Sequence, residues 1–440
     1  MTHSLASSPV SPRHRWKVLA AGVAANAAFS VAFSGIPMTA VLMRTGYRLD
    51  NATLGLVLGL MGLGIAVSEL PWGLLTDRWG DRPVLLTGLG STAVALVAMA
   101  LWAAPTADHV PGLWWLGAGL LGVGLLGGSV NGASGRAVMT WFDAGERGLA
   151  MSVRQTAVPL GGGIGALVLP YVALHFGFAA LYGLLALLCA LSAALSWAWV
   201  HEPPSVPHGG QGVPAAGAAT LTAQAAPGLG PLRDARVWRI VAGIGILCAP
   251  QFAVLSFGTV FLHDFGHAGL AAITATMVLM QVGAMALRVW SGRWTDRRRN
   301  RPAYLRACSA LSVALFAALA LLALAGGGQA ADSMALRIAL VALLGVSGVC
   351  VSAWHGVAYT ELATLAGAAR AGTALGMANT SVFLVCFVTP FSIPHLLALQ
   401  GWPLVWLAAS ACALVAMPLL VPRPAASAQK LANTAFNRST

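Results

Sequence analysis

Charge is scarce in this chain. Only 9% of its 440 residues are Asp, Glu, Lys or Arg, and 13 are acidic, against about 25% charged in ordinary soluble domains. A chain so poor in charge, 58% hydrophobic and of mean hydropathy +0.78, cannot hide its apolar surface in one water-soluble globule and requires a bilayer as solvent. Cysteine is sparse too. The six, Cys189, Cys248, Cys308, Cys350, Cys386 and Cys412, all fall in apolar runs without close ligand spacing, so neither a zinc site nor a disulfide framework is expected. There is no phosphate loop and no nucleophile elbow. GGGIG at Gly161 to Gly165 lies within an apolar run and lacks the Lys and Ser/Thr of a phosphate loop, which makes it a close-packing stretch between helices. These absences leave no catalytic constellation, no cofactor and no metal to expect, and the chain does not read as an enzyme.

What the sequence has in abundance is apolar runs of bilayer-spanning length. A hydrocarbon core of roughly 30 Å takes about 20 helical residues to cross. Twelve such runs can be drawn, at 16–43, 52–75, 83–104, 111–139, 148–174, 177–200, 237–262, 269–292, 302–325, 335–361, 371–398 and 402–421. They are too long for barrel strands, and a segment in lipid must satisfy its own backbone hydrogen bonds, so all twelve are expected to be helices. The first run exceeds a signal-peptide core and is expected to be retained.

The 25 basic residues are unevenly placed. With twelve spans, 19 fall on the side of both tails and three, Arg44, Arg48 and Arg337, on the other, while Arg136, Arg154 and Arg288 lie within spans. That bias is the positive-inside pattern and puts both termini in the cytoplasm, with a bacterial inner membrane the expected location. The net charge of +12 is therefore read as topology and contact with anionic lipid, not as nucleic-acid binding.

The chain is also a duplication. GLLTDRWGDRP from Gly73 aligns without a gap on GRWTDRRRNRP from Gly292, matching Gly73, Thr76, Asp77, Arg78, Arg82 and Pro83 with Gly292, Thr295, Asp296, Arg297, Arg301 and Pro302 at an offset of 219. Gly148, Ala150, Thr156, Pro170 and Gly177 likewise meet Gly372, Ala374, Thr380, Pro394 and Gly401 at an offset of 224. The expected organisation is a tail (1–15), a six-helix bundle (16–200), a Pro/Gly/Ala-rich cytoplasmic linker (201–236), a second bundle (237–421) and a tail (422–440).

GLLTDRWGDRP, between the second and third spans, resembles the signature loop of the major facilitator superfamily, and its echo lies where that family repeats it. The resemblance covers nearly the whole chain. It implies an all-α integral membrane protein of two pseudo-symmetric six-helix bundles around a central cavity, rocking to expose that cavity to either side in turn. In the second loop Arg298 and Arg299 replace Trp79 and Gly80. The family places the fifth span beside the eighth and the second beside the eleventh. Gly73, Asp77, Arg78 and Arg82, with Gly292, Asp296, Arg297 and Arg301, are expected to form a conformational latch through carboxylate contacts with helix N-termini and arginines.

An ionisable residue inside a span costs at least ~2.5–3.5 kcal/mol unless it pairs or faces water, so such residues mark function. Glu69, Arg154 and Arg288 each lie roughly 10 Å toward the cytoplasmic side of their span centres. Glu69 and Arg288 each fall eight residues before the Asp of their loops, Asp77 and Asp296, and so occupy equivalent positions with opposite charge. Arg154 and Arg288 make a clamp for a small organic anion, with Gln155 and Gln281 donating hydrogen bonds; a cytoplasmic gate involving Glu69 is the competing assignment. Asn26, Asn131, Gln251, Trp354, His355 and Asn379 are further candidate cavity residues, each also able to serve as packing glue between helices. With no nucleotide-binding segment, the driving force falls to an ion gradient. Proton coupling through Glu69, with His355 second, is the expectation.

The partners that follow are a small-molecule substrate, a proton and the bilayer. Two alternatives stand beside uptake of an anion. AVPLGGGIGALVLP resembles the glycine-proline motif of drug/proton antiporters but has Val158 before Pro159, and a non-transporting sensor or scaffold would retain the same fold.

Overall fold

The structure is a computed structural model that describes residues 14–106, 108–142, 150, 153–201, 231–326, 333–366 and 371–421. Of the expected tails and linker, residues 1–13, 202–230 and 422–440 lie outside these residues, while 14–15 and 235–236 belong to helices.

Eleven helices long and apolar enough to cross a membrane occur among the described residues. They are α1 (His14–Gly46), α2 (Asn51–Trp79), α3 (Asp81–Ala103), α4 (113–141), a 47-residue helix Val153–Trp199, α7 (Ala235–Phe265), α8 (Leu270–Arg298), α9 (Arg301–Ala325), α10 (Met334–Ala366), α11 (Ala371–Gln400) and α12 (Trp402–Leu420).

The 47-residue helix accounts for two of the twelve expected crossings. Its backbone leaves helical geometry at Gly177 (φ 77°, ψ 177°), a left-handed conformation that only glycine adopts without cost. Phe178 packs on Tyr47 at one end of α1, while Ser192 bonds the carbonyl of Ala24 and the Trp199 carbonyl accepts from His14 at the other end. The chain therefore turns back at Gly177, giving α5 (153–176) and α6 (178–199). Gly401, its equivalent in the repeat, also has positive φ, 71°. We call the end holding His14, Arg82 and Trp199 the lower end, and the end holding Tyr47 and Phe178 the upper end.

Within each half the helices pack through small residues, as helices must where lipid removes the hydrophobic drive to associate. Gly161 and Gly165 of α5 lie against α1. A Cβ on Gly161 would stand 2.5 Å from the Ala27 carbonyl oxygen, and one on Gly165 would stand 2.6 Å from Gly35 Cα. The GGGIG stretch is thus a contact surface, as its sequence implied.

Between the halves, α2 meets α11 in the upper half of the membrane. Gly55, Gly59 and Gly62 form a stripe, and a Cβ on them would fall 2.2 Å from the Pro390 carbonyl oxygen, 2.8 Å from that of Phe387 and 3.0 Å from the carbonyl carbon of Cys386. Below this stripe a Cβ on Gly73 of α2 or on Gly376 of α11 would meet nothing within 4 Å among the described residues. Phe33 of α1 stacks with Phe252 of α7 and meets Phe383 of α11 edge-on, both at 5.6 Å. These contacts concentrate the junction of the halves in the upper part of the molecule.

Candidate functional site

The site lies where two helices are interrupted. α4 consists of Leu113–Gly127 and Ser129–Trp141, separated by a turn at Gly128. α10 consists of Met334–Val351 and His355–Ala366, separated at residues 352–354. The interruptions fall at corresponding places in the two halves; at the first Gly128 keeps helical φ and ψ and its N–H bonds the Gly124 carbonyl at 3.1 Å, while at the second the N–H groups of Ser352 and Ala353 bond three residues back, at 3.2 and 3.1 Å. Trp72 Nε1 donates to the carbonyl of Leu125 at 2.7 Å above the first break. At the second, Ser291, the repeat equivalent of Trp72, donates to the carbonyl of Ala353 at 3.3 Å, and so does the hydroxyl of Tyr304, also at 3.3 Å.

Glu69 and Arg288 each face one of these breaks. α2 abuts the α4 break, because a Cβ on Gly128 would stand 2.5 Å from Ser68 Oγ. Asn131, in the first turn of the lower α4 segment, approaches the Glu69 carboxyl group. The carboxyl therefore sits at a helix N-terminus, where the peptide dipoles favour negative charge. Arg288 Nε donates to the carbonyl of Ser352 at 3.0 Å, at the C-terminal end of the upper α10 segment, where the dipoles favour positive charge. Equivalent positions of the repeat thus carry opposite charges, each facing the helix end of complementary sign.

A polar chain leads from Glu69 toward Arg288. Asn379 Nδ2 of α11 donates to Glu69 Oε1 at 3.2 Å, and the Tyr359 hydroxyl of α10 donates to Asn379 Oδ1 at 3.0 Å. Tyr359 lies within Coulombic range of Arg288. On the other side Arg154 lies within Coulombic range of Glu69, and its Nη1 donates to Ser134 Oγ at 3.1 Å. Glu69 Oε2 and Arg154 Nε are buried without a hydrogen-bond partner. Unpartnered buried polar atoms of opposite character are groups that a bound solute or a proton could engage.

The remaining sequence candidates divide by location. Asn131, His355 and Asn379 are partly exposed at this level. Asn26 and Gln251 are buried, with Asn26 Nδ2 and Gln251 Oε1 unpartnered. Gln281 is buried against Gly162, at the contact of α8 with α5, and Gln155 is exposed. Trp354 is completely buried in the α10 break, stacked on His355 at 3.8 Å. Tyr359 was not a sequence candidate. The available signal was its position one turn after His355, in a chain with five tyrosines.

The loop residues make their described contacts within their own halves. Arg82 donates to the Trp197 carbonyl at 2.8 Å, and Arg136 donates to the Thr76 carbonyl and stands 3.6 Å from Asp81. Arg301 donates to Thr364 Oγ1 at 3.4 Å. Arg78 and Arg297 are exposed. The side chains of Asp77 and Asp296 lie outside the described set.

At the upper end one ion pair joins the halves directly. Both guanidinium Nη atoms of Arg44 (α1) engage the carboxylate of Asp264 (α7). His263 Nδ1 lies 2.7 Å from Asp264 Oδ1, and Arg44 Nη1 also donates to Asn51 Oδ1 at 3.2 Å. The side chains are 23% and 29% exposed, so the pair is worth no more than about 1 kcal/mol. Arg44→Asp should favour opening of the upper end and change the transport rate on the order of fivefold. Pairing it with Asp264→Arg should return the rate toward wild type in the same uptake assay; failure of that rescue would show that the pair does not act as a unit.

Comparison with known proteins agrees with this architecture. The Major Facilitator Superfamily profile matches residues 19–390. The chain belongs to the major facilitator superfamily. It is a multi-pass membrane transporter and not an enzyme. An uncharacterized MFS-type transporter of Mycobacterium tuberculosis is 28% identical over 420 residues, covering 95% of this chain and 87% of the relative. The inner membrane transport protein YajR of Escherichia coli is 36% identical over 77 residues, 17% of each chain. Among solved structures, a D-xylose-proton symporter superposes with a TM-score of 0.70 at 16% identity, covering 92% of this chain and 98% of that one. A bacterial homolog of the human lysosomal transporter Spinster, inward-facing and occupied, gives 0.69 at 15% identity, with coverages of 93% and 97%. At these identities the structural likeness establishes the fold.

Proposed function

We propose that this transporter couples entry of protons to uptake of a small organic anion, by alternating access across a bacterial inner membrane with its lower end in the cytoplasm. The observation that carries the reading is the polar chain between the halves, in which Glu69 stands between Arg154 and the Asn379–Tyr359 pair, with Arg288 beyond. Arg154 and Arg288 supply the positive charge that holds the anion, and Glu69 is the proton carrier. A protonated Glu69 no longer competes for the arginines, so loading a proton and loading an anion favour one another. The basic bias of the lower breaks supports the orientation. The signature loops at that end act as the latch, closing when the halves tilt together below.

Removing Arg288 tests the anion site. A charge-assisted contact contributes about 1.5–3 kcal/mol, so Arg288→Ala should raise KM for the transported anion roughly 10- to 100-fold. Uptake into proteoliposomes, with substrates first found by a thermal-shift screen of carboxylates, inorganic anions, sugars and lipophilic cations, measures this. Stabilisation by cations alone, or an unchanged KM in Arg288→Ala, would overturn the anion reading.

A further inference from the structure

The second signature loop has a property that the first lacks. Residues 76–83, TDRWGDRP, balance two acidic against two basic residues, whereas residues 295–302, TDRRRNRP, hold four arginines and one aspartate. Asp296 is matched by Asp77, so the difference of three charges comes entirely from three consecutive replacements, Trp79 by Arg298, Gly80 by Arg299 and Asp81 by Asn300. A shared latch role does not require that difference, since the first copy lacks it.

The fold makes a cavity of these residues. Thr295, Arg299, Arg301, Pro302 and Glu361 line a space of about 590 Å³ at the lower end, where α8, α9 and α10 meet. Arg299 ends α8 in the left-handed conformation, φ 50°. Gly80, its counterpart, has φ 86° at the end of α2. Glycine is the residue that suits this conformation, and an arginine there sacrifices some stability. In the last turns of α8 Trp290 is exposed and stacks on Trp294 at 5.7 Å, Trp294 packs on Tyr304 at 6.1 Å, and the Arg298 guanidinium lies 5.9 Å from the Trp294 ring. Tryptophan and tyrosine with arginine at a helix end form the surface that settles at the headgroup level of a bilayer.

We infer that this cavity binds the headgroup of an anionic glycerophospholipid of the phosphatidylglycerol type. Arg299 and Arg301 hold the phosphate, Arg298 and the two tryptophans flank the glycerol backbone, and Glu361, the carboxylate on the wall, accepts from the headgroup hydroxyls. The excess of positive charge selects a net anionic lipid over a zwitterionic one. The site is specific to the second half and independent of the solute carried through the centre.

The test compares wild type with the triple variant Arg298→Trp, Arg299→Gly, Asn300→Asp, which writes the first loop into the second. Full-length protein in lipid-free detergent is titrated with phosphatidylglycerol, phosphatidylcholine or glycerol 3-phosphate, and followed by native mass spectrometry and thermal unfolding. Phosphatidylglycerol is expected to bind wild type and raise its unfolding midpoint. Losing two arginines and gaining an aspartate should weaken that binding on the order of 100-fold, while the lipid-free midpoint stays the same or rises because glycine relieves the left-handed backbone. Should the triple variant prove unstable, Arg299→Gly alone decides the matter, with about fivefold weaker binding expected. Equal binding of phosphatidylglycerol by wild type and variant overturns the site. An equal response to phosphatidylcholine would show a non-selective lipid contact, and an equal response to glycerol 3-phosphate a site for free phosphate; either overturns the assignment to an anionic lipid.

Discussion

Glu69→Gln is expected to abolish proton-driven accumulation while leaving substrate exchange intact. Glutamine has the shape of the protonated acid, and its amide oxygen can still accept from Asn379 as Glu69 Oε1 does at 3.2 Å. What it cannot do is release a proton. Each co-transported proton lets a gradient of one pH unit support about tenfold accumulation. In proteoliposomes with an alkaline interior the variant should only equilibrate its substrate, whereas wild type concentrates it. Counterflow, which needs the cavity to alternate but not the carboxyl to ionise, should continue with equal or tighter apparent affinity, because Arg154 and Arg288 no longer face a negative charge. Accumulation at the wild-type level would remove Glu69 from the coupling scheme.

The second large effect is expected at Gly55. Its missing side chain lets α2 lie on α11, and a Cβ there would be 2.2 Å from the Pro390 carbonyl oxygen. That obstacle is backbone and cannot rotate away, so Gly55→Leu must force the two helices apart in the upper half. Overpacking of this kind costs about 1–3 kcal/mol, here charged against the state closed above. A bias of that size changes the ratio of the two states about 5- to 150-fold. Spin labels at Thr45 and Leu270, in opposite halves of the upper end, should report longer distances in the variant on a background free of native cysteines, and transport should slow as the return step becomes limiting. An unchanged distance distribution would mean that the glycine stripe does not control the upper closure.

These two residues also show what a sequence discloses and what it withholds. Run length and the internal repeat were enough for the helices, because those follow from spacing along one chain, whereas the pairing of spans came from the family resemblance. Even the turn near Gly177 was legible, although α5 and α6 abut there without an intervening loop, so that eleven apolar helices stand among the described residues in place of twelve. Contacts between distant helices were not legible. Arg44 read as a topology residue, since nothing local connects it to Asp264, 220 positions away. Tyr359 escaped notice because its importance comes from Asn379 on a neighbouring helix. Trp354 looked like a cavity residue, but the unwinding of α10 turns it into the interior.

The opposed charges at Glu69 and Arg288 bear on the ancestry of the molecule. Two identical six-helix subunits would place the same side chain at both positions, leaving either two carboxylates or two guanidinium groups around one pore. Duplication of the sequence frees each copy to mutate alone. A homodimer rebuilt from the first half would carry two carboxylates at this position and one rebuilt from the second half two guanidinium groups, so the opposed pair is younger than the fold that houses it.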